Sequence, residues 1–160
     1  MSHPRHDQGF TLVEVLVVMA LMGLMMAIAV SGWASWARAS EQQGTAREIQ
    51  SALRDAQQHA VMEGRSMCVW FDTAADTYTV YRGRCDDASK VQVRGPLATG
   101  SPRVVLSAPA FTASDGSSYP GVTFRPTGSA WPGQVQVRRD GSAKVYTVSV
   151  EGMTGRVSLG

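Results

Sequence analysis

The run Val15–Val30 (VLVVMALMGLMMAIAV) carries no charged or polar side chain. A helix that is apolar on every face must be covered on every face, by lipid or by a large protein core. The rest of a 160-residue chain is too small to wrap it, so the run is expected to enter a membrane. Widening the window to Phe10–Ala37 adds a single charge, Glu14. The wider stretch exceeds the roughly 20 residues that a bilayer core demands. A carboxylate in hydrocarbon costs ~3 kcal/mol at the midplane and less near the surface, so Glu14 needs a reason. A cleaved secretory signal does not supply it. Ala27-Ile28-Ala29 and Ala34-Ser35-Trp36 are poor cleavage sites, the small residue Gly9 stands before the run, and the helical pattern continues beyond it.

From Arg38 onward the chain turns polar but keeps a helical period. Ile49, Leu53, Ala56 and Ala60 make one apolar stripe, while Glu41, Arg47, Glu48, Arg54 and Asp55 fill the other faces. No proline interrupts the chain between Arg5 and Pro96, and Gly64 offers a stop. One helix is expected from about Thr11 to Glu63. The period then changes to two, with strands expected at 67–71, 78–82, 90–94, 103–106, 122–124, 134–138, 144–150 and 156–159. Asp140-Gly141 between the sixth and seventh of these reads as a hairpin turn. Pro109–Pro120 reads as a surface loop. The expected fold class is α+β: a long N-terminal helix, membrane-spanning in its first half and amphipathic in its second, packed on a small antiparallel β head.

Cys68 and Cys85 fall in the β region. A head outside the cytoplasm permits a disulfide, and a loop of this size would gain about 3 kcal/mol from closure. Two buried thiols are the alternative. With no histidine nearby the pair lacks a zinc ligand set.

Gly9-Phe10-Thr11-Leu12-Val13-Glu14, after a short polar leader and before the apolar run, resembles the class III signal of type IV pilins and type II secretion pseudopilins. The resemblance implies that a prepilin peptidase cuts between Gly9 and Phe10 and that the new Phe10 amine is N-methylated. The leader, residues 1–9, is then lost. Residues 10–37 serve as membrane helix and later as filament core, 38–64 continue the helix, and 65–160 form the head. The resemblance also gives Glu14 its reason. It lies one helical turn from Phe10, near the favourable end of the helix dipole, and in the family it pairs with a neighbouring subunit's amine during assembly.

The segments Gly121–Trp131 (GVTFRPTGSAW) and Gly152–Gly160 (GMTGRVSLG) resemble those of GspH/FimT-type minor pilins and pseudopilins. What this implies is a non-catalytic subunit of a type IV pilus or type II secretion pseudopilus. Such a subunit is held in the inner membrane with its head outside the cytoplasm, and is later carried into a periplasmic or extracellular filament. Its partners would be the peptidase and other pilin subunits. Some FimT-type pilins also bind DNA through a C-terminal G-R-x-R element. Here Gly155-Arg156-Val157-Ser158 keeps only the first arginine, so a DNA site would need Arg138, Arg139, Lys144 and Arg156 to form one patch. The net charge of +2 makes no case for nucleic acid by itself. His59 is the one histidine beyond the leader, and no nucleophile, base or carboxylate pair stands at a meaningful spacing. No enzyme activity, cofactor or metal is expected.

Overall fold

The computed structural model describes residues 11–160, and the expected cleavage and methylation positions, Gly9 and Phe10, lie outside the described residues. Helix α1 runs unbroken over Leu12–Glu63. It ends as expected: Gly64 adopts φ +62° and Arg65 N–H reaches back to the Ala60 carbonyl at 3.2 Å, which closes a glycine C-cap. The chain divides into two compact units after Arg38.

In the first unit, large apolar side chains such as Leu16, Met19, Leu24 and Met25 are all exposed. Among the described residues no helix is long and apolar enough to cross a membrane.

The second unit holds the remainder of α1 and nine strands: β1 Met67–Asp72, β2 Thr77–Arg82, β3 Val91–Ala98, β4 Val104–Thr112, β5 Ser118–Tyr119, β6 Gly121–Phe124, β7 Gly133–Arg139, β8 Tyr146–Val150 and β9 Val157–Leu159. They form two antiparallel sheets, β3-β2-β1-β6 and β5-β4-β7-β8-β9. The rings of Phe71 on β1 and Phe111 on β4 stack at 6.0 Å and join the two sheets. The stripe Ile49, Leu53, Ala56 and Ala60 is fully buried in the same core. The α+β reading therefore holds, and the helix packs through the face that its period indicated.

Beside that stripe runs a row of amides. Gln42 Nε2 donates to the carbonyls of Val137 and Lys144 at 3.0 and 2.8 Å. Gln50 Nε2 and Arg54 Nη2 both donate to the Val157 carbonyl. Gln57 Nε2 donates to those of Gly128 and Thr154. Buried or edge carbonyls need partners, and here the helix supplies them with side chains.

Two expectations require correction. The segment expected as a loop over Pro109–Pro120 is strand at both ends, because β4 passes through Pro109 at a register shift between Ser107 and Ala110. A bulge is where a missing N–H is tolerated. The strand expected from Lys144 begins instead at Tyr146. The tight turn is present, with Ser142 N–H bonded to the Arg139 carbonyl, but the last rung of the β7–β8 ladder is Val137 opposite Tyr146. The Gln42 amide occupies the mouth between the strands and takes the two carbonyls itself.

Cys68 and Cys85 are joined in a disulfide, with Cα atoms 5.1 Å apart. It ties β1 to the segment after β2. Thr123 Oγ1 accepts the Cys85 N–H inside the core at 3.0 Å.

Candidate functional site

Glu14 sits in the first turn of α1. Thr11 caps that turn: its Oγ1 accepts the Glu14 N–H at 3.2 Å, and its carbonyl accepts the Val15 N–H at 3.3 Å. Thr-x-x-Glu at a helix start is a capping-box pattern. The backbone of Glu14 is thus fixed by the helix end. Among the described residues its carboxylate has no hydrogen-bond or ion-pair partner. The result is an anchored acid at the positive end of a helix dipole, set among exposed apolar side chains.

The two C-terminal motifs meet at Gln57. The segment Arg125–Gly128 is a turn, closed by Gly128 N–H to the Arg125 carbonyl at 2.9 Å. The segment before β9 brings Gly155 to the same place with φ +62°. A Cβ on Gly155 would overlap the Gly128 carbonyl oxygen and Gln57 Nε2. The glycine is required both by its backbone conformation and by this close approach. Within the head these motifs hold the C-terminal strands to α1. The glutamines were the residues that sequence reasoning passed over. Their signal is position: Gln42 continues the line of the apolar stripe seven residues before Ile49, and Gln50 and Gln57, seven apart, follow its flank.

Of the four basic residues that a DNA site would need, Arg138, Arg139 and Lys144 flank the β7–β8 turn, and Arg156 lies apart from them. Arg138 is exposed and donates to Gln136 Oε1. Lys144 lies over the Tyr146 ring at 4.6 Å. The Arg139 side chain is only 9% exposed and faces Glu41 at 3.9 Å. Arg156 belongs to the other end of the sheet, since its carbonyl accepts from Glu151 and the adjacent Val157 pairs with Val150, which pairs with Gly133. Arg138 is five residues further along β7, roughly 16 Å away at about 3.3 Å per residue. Among the described residues no three His, Cys, Asp or Glu side chains converge to hold a metal ion.

Tyr78 is buried where β2 faces α1, and its hydroxyl donates to Glu48 Oε1 at 3.3 Å. Burial, then the charge and hydrogen bond of Glu48, push its phenol from 10.0 up to about 12. A raised pKa means that the folded chain keeps a proton that the unfolded chain releases. The stabilisation is complete below about pH 10 and is lost as pH rises through about 12. Thermal midpoints of the full chain in detergent are expected to fall across that window by an amount on the order of 2 kcal/mol of stability. Tyr78→Phe should flatten the fall. Equal slopes for both chains would show that the Tyr78 proton is not involved.

Comparison with known families decides what carries these features. The sequence profile of the type II transport protein GspH family matches residues 45–154. The chain belongs to the GspH family. A prokaryotic N-terminal methylation motif matches residues 4–30, which joins a GspH-type head to a methylation-type helix start. Among solved structures, the minor pseudopilin EpsH from the type 2 secretion system of Vibrio cholerae superposes with a TM-score of 0.56. It is 14% identical and the alignment covers 74% of this chain and 95% of that one. The Pseudomonas aeruginosa type IV minor pilin FimU gives 0.54 at 16% identity, over 77% and 90% of the two chains. E. coli GspH gives 0.53 at 14%, over 76% and 88%. At such identities the likeness is one of fold. Two P. aeruginosa fimbrial proteins are 32% identical over 61 residues, which is 38% of this chain. The chain spans about two fifths (39%) of the length of these curated relatives.

Proposed function

We propose that the chain is a minor pilin or pseudopilin, a structural subunit that is stored in the inner membrane and then enters or initiates a type IV pilus or type II secretion pseudopilus. The observation that carries this is Glu14: an anchored carboxylate without a partner among the described residues, in the first turn of a helix whose opening turns expose large apolar side chains such as Leu16, Met19 and Met22. Such a surface needs a cover, and lipid before assembly or neighbouring helices afterwards supply it. The methylation motif over 4–30 and the GspH profile over 45–154 support the same reading. In this role residues 1–9 are the leader, 10–37 the membrane and filament-core helix, 38–64 its continuation, and 65–160 the head. A prepilin peptidase cuts at Gly9–Phe10 and Phe10 is methylated. Glu14 then meets the amine of a neighbouring subunit.

Processing provides the test. Coexpressed with a prepilin peptidase, the chain is expected to lose the mass of MSHPRHDQG and gain that of a methyl group. Gly9→Val is expected to retain the leader, because a branched side chain replaces the small residue before the cut. A wild-type chain that keeps its leader under these conditions would end the proposal.

A further inference from the structure

The cations that flank the β7–β8 turn stand at a definite end of the head. Gly133 on β7 is level with Val150 and Val157, and the Val157 carbonyl takes its donors from Gln50 and Arg54. Further along β7, the Val137 carbonyl takes its donor from Gln42. β7 therefore advances toward the N-terminal side of α1, and Arg138, Arg139 and the turn lie at its leading end. Lys144 returns to the same place, since its carbonyl also accepts from Gln42. Arg103 joins them, because its carbonyl accepts the Asp140 N–H at 3.1 Å.

Arg103, Arg138 and Lys144 are exposed. Among the described residues none of the three has a carboxylate within ion-pair distance. The acids close by are Glu41, which faces Arg139, and Asp140 in the turn itself. Asp72 and Asp76 belong to the β1–β2 turn of the other sheet, where they accept from the backbone N–H groups of Ala74, Ala75 and Leu106. Beneath Lys144 the Tyr146 ring lies 4.6 Å from its Nζ, and a tyrosine with an apolar body and a polar tip suits a membrane interface.

Position 42 is five residues past residue 37, at most about 18 Å of chain. The turn can therefore reach the headgroup layer of a bilayer that holds residues 10–37. Cations placed there are drawn to anionic lipid, and the attraction fades within a Debye length. We infer that the β7–β8 turn, through Arg103, Arg138 and Lys144, rests on anionic phospholipid headgroups while the subunit is stored in the membrane. The inference rests on the reading of residues 10–37 as a membrane helix.

The test uses the full chain, ¹⁵N-labelled at lysine, in bilayer nanodiscs that carry a spin label on a lipid headgroup. Lys90 and Lys144 are the two lysines. Lys90 is the internal control, because the adjacent Val91 pairs with Arg82, which bridges to Glu63 at the other end of α1. In discs of equal parts phosphatidylcholine and phosphatidylglycerol, Lys144 is expected to be broadened about fivefold or more beyond its value in phosphatidylcholine alone. Lys90 should be broadened in neither. Arg103→Gln/Arg138→Gln, with an unchanged Lys90 signal, should return Lys144 to the phosphatidylcholine value. Equal broadening of Lys144 in both lipids overturns the inference, as does none in the mixed discs. Loss of the broadening when a short DNA duplex is added would reassign the surface to nucleic acid and overturn it too. A chain that fails to enter discs overturns the membrane reading itself, whereas entry with an unbroadened Lys144 overturns this inference alone.

Discussion

Gly155→Ala is expected to destabilise the head by about 4 kcal/mol or more, enough to unfold many small domains. Two effects add. Gly155 sits at φ +62°, where a Cβ costs roughly 1 kcal/mol or more. That Cβ would also overlap the Gly128 carbonyl and Gln57 Nε2. The carbonyl belongs to a closed turn and cannot retreat without opening it, and Gln57 is held by two acceptors. Gly141→Ala is the control, because Gly141 has φ +74° but nothing within 4 Å of an added Cβ. It should cost only the conformational part, about 1 kcal/mol. Thermal unfolding followed by circular dichroism on the full chain measures both. Equal losses at the two positions would mean that the packing at Gly155 yields, and the junction of the two C-terminal motifs would lose its assigned role.

Glu14→Ala is expected to insert in the membrane and to be processed normally, yet to enter filaments at a small fraction of the wild-type level. Removing one member of a desolvated charge pair costs about 2–5 kcal/mol, a factor of roughly 30 to several thousand in an assembly equilibrium. Glu14→Gln separates the two roles that the geometry permits. A capping box accepts glutamine in place of glutamate, so a purely capping role predicts normal assembly of this variant. A charge-pairing role predicts that it fails like alanine. The measurement is the ratio of subunit in sheared filaments to subunit in membranes. Wild-type incorporation of Glu14→Gln would sink the pairing with a neighbour's amine.

Much of the fold was legible because two signals are local. The stripe Ile49–Leu53–Ala56–Ala60 and the αL stop at Gly64 depend on residues within a turn of each other, and both stand where their pattern indicates. The strands were read from alternation, and most were found to within a few residues. What failed depends on distant partners. Nothing near Pro109 shows that β7 will accept a bulged neighbour there. Nothing near Lys144 shows that an amide 102 residues away will take its carbonyl. The candidate site divides the same way. Glu14 stands out in sequence because a charge in an apolar run is a local anomaly. That Arg156 lies at the other end of the sheet from Arg138, Arg139 and Lys144 follows from register, which spacing along the chain does not encode.

The row of glutamines has a consequence for modularity. Five carbonyls, those of Gly128, Val137, Lys144, Thr154 and Val157, receive donors from the helix portion of the same unit. Helix and head are therefore not interchangeable parts, even though the boundary between helical and β sequence at Gly64 is sharp. A chimera that joins this head to another chain's helix needs donors at 42, 50, 54 and 57 as well as apolar residues at 49, 53, 56 and 60. One that matches only the apolar residues would dock a helix that fits the groove and leaves the head's open carbonyls without their donors.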